Sequence, residues 1–445
     1  MSDTEPIRQV DTNFGRAITG AMEYNSSDLK YDMRIKSGSG IKHTVAFDTP
    51  NKDSFERLRV SNPRTIFDSK QIYDNEPLIW DDQEVSGSGT NSTHSVNTAT
   101  TTLSVSASTA GKRVRRTFRR FNYQPGKSQQ IIMSGRIADV DSGITKSWGY
   151  FDDNNGIFFS VIDGVIYAVV RSSTSGSPVD TSIPQSSWNI DKLDGTGASG
   201  ITIDHTKTQI FYFDFSWLGS NTVRFGFIIN NAIVYVHSIN FANELATVYM
   251  STPNLPLSCE LENDGTGGAA TLEHICSTVI SEAGDDQHGI IRHVGTENNS
   301  VTLQTGGTTY GVIFIRLKST HQSATFIPEE IDLLCTSGDN IHYELILEPT
   351  IGGNALSWAS VNNCAIEFAV GDGTQTITNG TPFTGGYFNS QKNASGSGSK
   401  AGDNEISIGS NIAGASQILC LGMMPIGSGT INAVVYGNIN YRIQA

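Results

Sequence analysis

Nowhere in the 445 residues do about 18 apolar residues run together, the length a helix needs to cross a bilayer, so no helical membrane span is expected. The opening residues MSDTEPIRQVD are polar and acidic and lack the apolar centre of a cleaved secretory signal. Cysteine is sparse. Cys259, Cys276, Cys335, Cys364 and Cys420 are odd in number, widely spaced and free of any CxxC pair, which points to small buried hydrophobes in a reducing setting before a disulfide framework or a zinc site. Positive charge is short as well: 30 Lys and Arg against 44 Asp and Glu leave a formal net charge of −14. Wrapping nucleic acid needs a net basic face, so that class is disfavoured. The tripeptide Gly126, Lys127 and Ser128 ends like a P-loop, but Phe121 stands where the first glycine belongs and no helical pattern follows. The scattered histidines fit no HExxH, and no catalytic residue, cofactor or metal site is assigned. Asp152, Asp153, Asn154 and Asn155 offer oxygen donors for calcium, yet without EF-hand spacing they read as a turn.

What is abundant is turn chemistry. The chain carries 45 Gly with a hydrophobic fraction of 37%, a balance that suits short strands joined by many turns. The clearest stretch is 188–263, where runs at 209–215, 222–229 and 232–239 are rich in aromatic and β-branched residues. Asn230 and Asn231 separate the last two, and a pair of Asn can take positive φ and close a two-residue hairpin. Residues 148–172 hold a second such set, punctuated by DDNNG and by Asp163 and Gly164. ATLEHICSTVISEAG is rich in strand formers at Ile275, Thr278, Val279 and Ile280 and reads as a strand. Beyond 289, seven short apolar runs bounded by Gly, Asn, Pro or Asp describe another sandwich.

The expected class is all-β: an extended N-terminal arm and interface segment over 1–110, a central jelly-roll or concanavalin-like sandwich over 111–288, and a C-terminal β-sandwich over 289–445. Residues 85–110 read either as a flexible linker or as a strand exposed on both faces, and 389–400 as a mobile loop. An arm that cannot bury enough apolar surface gains order only against a partner.

Two segments stand out as contact surfaces. Phe55, Arg57, Arg59, Phe67, Tyr73 and Trp80 form an arginine and aromatic mixture of the kind that anchors protein interfaces. Lys112, Arg113, Arg115, Arg116, Arg119 and Arg120 form a basic cluster in an acidic chain. Strand alternation splits these charges between two faces, so docking on an acidic neighbouring subunit is expected in preference to tracking a phosphate backbone. Glu260 and Glu262 resemble the paired carboxylates of jelly-roll glycosidases, but alternation turns Cys259 and Leu261 inward and leaves both Glu facing water, so the chain is read as no enzyme. Trp148 and Trp188, beside loops, are the candidate contacts for a glycan.

The segments FERLRVSNPRTIFDSKQIY, FNYQPGKSQ, GYFDDNNGIFF, VVRS, DKLDGTG, SWLGSNTVRFGFIINNAIVYVHSINFAN and YMSTPNLP lie between residues 54 and 280. Together they resemble a family of virion structural proteins of tailed double-stranded DNA bacteriophages, notably marine and cyanobacterial ones. The resemblance implies a β-rich virion component with no catalytic residues to carry over. The chain is accordingly expected to assemble as a homo-oligomer, a trimer being one form, with capsid, neck or tail proteins as partners. A receptor- or glycan-binding fibre or tail protein touching the host surface is the alternative.

Overall fold

A computed structural model describes residues 62–138, 141–284, 289–389 and 408–444, together with the backbone of three earlier strands. The chain divides into two units, 1–62 and 63–445. In the first, β1 (Thr19–Asn25), β2 (Lys30–Lys36) and β3 (Lys42–Ala46) make an antiparallel meander. The segment read as an extended arm therefore contains a sheet.

The second unit opens with β4 (Arg64–Lys70), β5 (Trp80–Gly87), β6 (Thr90–Ser95), β7 (Thr100–Val105), β8 (Gly111–Thr117) and β9 (Gln129–Arg136). It continues with β10 (Ile144–Phe151), β11 (Gly156–Ile162), β12 (Val165–Ser172), β13 (Val179–Pro184) and β14 (Thr208–Phe215). β15 (Thr222–Ile229), β16 (Ala232–Asn240), β17 (Leu257–Asn263) and β18 (Ala270–Ser281) complete the first sandwich. One sheet runs β13-β12-β11-β10-β17-β8-β5 and the other β16-β15-β14-β9-β18-β7-β6, with β4 also on β18. All these pairings are antiparallel. The expected jelly-roll or concanavalin-like class is thus present, and β18 is a strand. The turn chemistry also holds: Asn230 and Asn231 have φ of 52° and 61°, and Asp163 and Gly164 have 50° and 82°.

The expected boundary at 110 is displaced. β4 to β7 are members of the sandwich sheets, and Leu103 and Val105 of β7 lie in its core. The 85–110 tract looks like a linker because its small hydroxyl residues carry little apolar signal, yet Thr100 and Thr101 are buried as well. The N-terminal interface reading of Phe67 and Trp80 is corrected with it. Trp80 is buried, and Phe67 packs 4.8 Å from Phe121.

The second sandwich has β19 (Ile290–Gly295), β20 (Val301–Thr305), β21 (Tyr310–Leu317), β22 (Thr325–Cys335), β23 (Asn340–Leu347), β24 (Thr350–Ile351) and β25 (Ala359–Ser360). Then come β26 (Ile366–Val370), β27 (Ile377–Thr378), β28 (Thr381–Asn389), β29 (Leu419–Pro425) and β30 (Thr430–Gln444). One sheet is β25-β26-β21-β29-β23-β28. In the other, β30 takes β22 along one side and β19 and β20 in succession along the opposite side. The 389–400 loop lies outside the described residues, apart from Asn389 at the end of β28. The two sandwiches meet where the Ser410 amide donates to Phe118 O (3.1 Å) and the Ile412 amide to Asp81 Oδ2 (2.7 Å). Gly409 permits the approach, since a Cβ there would lie 2.0 Å from Phe118 O.

The core of the first sandwich is aromatic on one side of β14 and β15 and polar at one end of β8. Arg115 has no exposure. Its Nη2 donates to Gln71 Oε1 (2.8 Å) and Asn75 O (2.6 Å), its Nη1 lies 3.6 Å from Asp82 Oδ2, and its guanidinium sits 5.0 Å from the Trp80 ring centre. Beside it, Nε of Arg115 approaches Nδ1 of His274 at 3.5 Å, and His274 Nε2 lies 2.8 Å from Ser277 Oγ.

Burial first, and the Arg115 charge second, hold the His274 imidazole well below the ordinary histidine range. The unfolded chain then takes up a proton near about pH 6.5 that the folded chain refuses, so this contribution is complete above that pH and is lost as pH falls. In urea unfolding across that range, His274→Gln is expected to flatten the slope of stability against pH. The remaining slope belongs in part to His205 and His237, which burial also depresses. Identical slopes in parent and variant would refute the assignment.

Candidate functional site

β8 pairs with β17 in a register that sets Lys112 against Glu262, Val114 against Glu260 and Arg116 against Ser258. These side chains stand on the face of the seven-stranded sheet opposite the core. Arg116 Nη2 donates to Glu260 Oε1 (3.0 Å) and Asp153 Oδ1 (2.9 Å), and its Nε donates to Ser258 Oγ (2.9 Å). Lys112 Nζ meets Glu260 Oε2 at 2.7 Å and Glu262 at 3.9 Å. Burial opposes the Arg116 charge, but Glu260 and Asp153 outweigh it and raise its pKa. For Asp153 burial pushes up and Arg116 more than compensates, leaving the carboxyl below its usual range.

The face continues across β10, β11, β12 and β13. Ser147 and Ser160 share a 3.0 Å hydrogen bond. Phe151 and Phe158 stack at 4.2 Å, an arrangement that requires Gly156, because a Cβ there would fall 2.0 Å from Phe151 Cβ. Arg171 lies over both rings and grips Asp180 through Nε (2.8 Å) and Nη2 (2.9 Å). Such a bidentate pair fixes the guanidinium plane. Between these groups is a hollow of about 120 Å³ lined by Lys112, Arg171, Asp180, Ser182, Glu260 and Glu262, with Thr145, Ser147 and Ser160 among its other walls.

This geometry corrects several expectations. Arg113, Arg115, Arg116 and Arg120 have acidic partners inside the chain: Asp82 for Arg113 (2.6 Å) and Arg115, Glu260 and Asp153 for Arg116, and Asp152 for Arg120 (3.2 Å). Arg119 lies 5.7 Å from the Phe121 ring centre. The cluster is spent on internal neutralisation, which removes the basis for docking it on an acidic subunit. Asp152 Oδ1 accepts the amides of Asn154 and Asn155, so its loop is closed as a turn. Trp148 and Trp188 are buried, the former stacked on Phe211 at 5.1 Å and the latter 6.4 Å from Phe227. Neither can stack a sugar, because each points into the space between the sheets. Glu260 is buried and not water-facing, while Glu262 remains open. Tyr73 is 85% exposed, with Ile72 and Leu78 exposed beside it. Phe55, Arg57 and Arg59 lie outside the described residues.

The acids of this face were not singled out by sequence reasoning as partners of the basic strand. The signal was present: alternating cations in GKRVRR and alternating acids in CELEN match when the strands are laid antiparallel.

No protein-family model and no curated protein matches the chain. Among solved structures it is similar to a Bacillus licheniformis β-glucanase, with 11% identity, 50% of this chain and 99% of that one covered, and a TM-score of 0.31. It is similar to the CBM2 module of the evolved Dit of Lactobacillus casei phage J-1 (6% identity, 51% and 100% covered, TM-score 0.33). A legume lectin-like domain from Entamoeba histolytica is a third (8% identity, 49% and 97% covered, TM-score 0.30). The expectation that the chain is no enzyme finds no support in this group, which includes β-glucanases. The same architecture also serves a lectin-like domain and a phage module, and at these identities the likeness concerns the fold alone.

Glu260→Ala is expected to cost about 3 kcal/mol, because it removes the buried acceptor that Arg116 and Lys112 share and leaves each with a single, more exposed acid. Glu262→Ala, at the exposed rim, is expected to stay within about 1 kcal/mol. Urea midpoints at constant slope distinguish the two, and equal losses would show that Glu260 is not the centre of the network.

Proposed function

We propose that this chain is a structural component of a tailed-bacteriophage virion. In this reading it self-associates as a homo-oligomer, docks on capsid, neck or tail proteins, and touches a carbohydrate through the outer face of the seven-stranded sheet. The virion assignment is supported by the multi-residue segments between 54 and 280. Self-association is supported by the exposed Ile72, Tyr73 and Leu78, an apolar group on one connection.

The observation that carries the carbohydrate contact is the composition of the outer-face hollow. Its two cations, Lys112 and Arg171, both stand against carboxylates, and hydroxyls of Thr145, Ser147, Ser160 and Ser182 are set among them. Fixed donors and acceptors of low net charge suit a neutral polyhydroxyl ligand, since little side-chain freedom is lost on binding. Phe151 and Phe158 form the apolar base beneath Arg171.

Two measurements test this. Purified full-length chain on a glycan array is expected to bind a restricted set of saccharides, and Ser182→Trp, which fills the hollow from an edge strand, is expected to abolish that binding without lowering the melting temperature. Absence of selective binding, or binding indifferent to the substitution, would remove the carbohydrate contact. Incubation with the bound polysaccharide also reports any chain shortening, and turnover lost on Glu262→Gln would reassign the face as hydrolytic. For the virion role, deletion of residues 1–54 is expected to prevent incorporation into particles while leaving a folded β-rich protein, and normal incorporation would count against docking through that segment.

A further inference from the structure

A second sheltered space lies between the sandwiches. It is a cleft of about 610 Å³ walled on one side by Asn122, Tyr123, Gln124, Pro125 and Lys127, on the other by β19, the end of β30 and the loop before β26. This volume is in the usual range for small-molecule sites, which favour domain junctions. Its described lining contains cations in Lys127 and Arg292, an imidazole in His321, and no carboxylate side chain. In a chain of net charge −14 the described walls of this cleft carry the opposite sign.

Arg292 is the key group. Its Nη1 donates to Asn362 O (2.8 Å) and Asn363 O (3.0 Å), which latches the loop before β26 to the edge of β19. It forms no ion pair with any described residue. Nine other arginines in this unit meet carboxylates: Arg113, Arg115, Arg116, Arg120, Arg136, Arg171, Arg224, Arg316 and Arg442. A half-sheltered guanidinium positioned by carbonyls keeps its charge and its remaining N–H donors for a ligand, and its planar fork matches a carboxylate. Around it, Asn122 and Asn363 supply amides suited to hydroxyls, while Pro125, Ile290 and Ile443 supply an apolar wall for a sugar's C–H face.

We infer that the cleft between the two sandwiches binds a small carboxylate-bearing saccharide, of the uronic acid type, with Arg292 receiving the carboxylate. The site is separate from the outer-face hollow, so either can fail without the other.

Cys364 gives the readout, since it lines the cleft and is partly exposed, while Cys276 is exposed elsewhere and Cys259, Cys335 and Cys420 are buried. Alkylation of the full chain, mapped by mass spectrometry, yields the rate at Cys364 with Cys276 as internal reference. D-glucuronate and a digalacturonate are expected to slow Cys364 alone, and D-glucose is not. Arg292→Gln is expected to weaken protection about tenfold, the loss of one charge-assisted contact. Because that substitution also releases the Asn362 and Asn363 carbonyls, Ile290→Trp provides a second variant: its side chain is 72% exposed, so the fold is untouched while the cleft is filled. Protection lost in both variants supports the inference. No protection by either acid, equal protection by glucose, protection only by an acidic peptide, or protection unaffected by both variants would overturn it.

Discussion

A guanidinium with no exposure to water constrains everything around it. Arg115 projects from β8 into the space between two sheets, where an unmatched charge would be very costly. Its partners therefore have to be held in place: Gln71 and Asn75 from the connection after β4, Asp82 from β5, and His274 from β18. The Gln71 side chain in turn receives Thr101 from β7. One buried charge thus ties five segments that are far apart in sequence, and it explains why the polar, low-complexity stretch before residue 110 belongs to the sandwich and not to an arm. Trp80, with its ring over Arg115 and its Nε1 donating to Ser69 Oγ at 2.9 Å, closes the same knot from the side.

The opposite face of β8 solves a different problem. There the cations stand over the outside of the sheet, and neighbouring strands supply acids in register. Glu260 is the shared acceptor, with each oxygen taken by a different cation. The consequence is a face that is rigid and nearly neutral despite its density of charge, while in the cleft between the sandwiches Arg292 has no such acid among the described residues. Electrostatics in this chain is local: a net charge of −14 describes neither surface.

Much of the architecture was legible. Asn230 with Asn231 and Asp163 with Gly164 mark their hairpins because few other residues adopt positive φ at low cost, and the aromatic density of β14 and β15 identifies a core sheet. The placement of individual side chains was less so. Trp148 and Trp188 sit near turns in sequence, and that nearness does not reveal which way a strand or its flank points. Arginines in GKRVRR read as surface because the sequence displays one strand at a time, while neutralisation depends on the strand that pairs with it. The Gln71, Asp82 and His274 contacts to Arg115 span up to 159 residues, beyond the reach of any local pattern. Thr-rich β7 was hidden by composition, since hydroxyl side chains next to Leu103 and Val105 dilute the alternation that strands are recognised by.

The long strand β30 has a consequence for how the protein is made. Its residues 430–444 are the shared partner of β19, β20 and β22, which begin more than a hundred residues earlier. Until that strand leaves the ribosome, three apolar strands have completed synthesis with no central neighbour to pair with. Such long-range pairing is slow and leaves edges open to other chains. Between synthesis of residue 335 and residue 444 this sandwich therefore stands with its central strand missing.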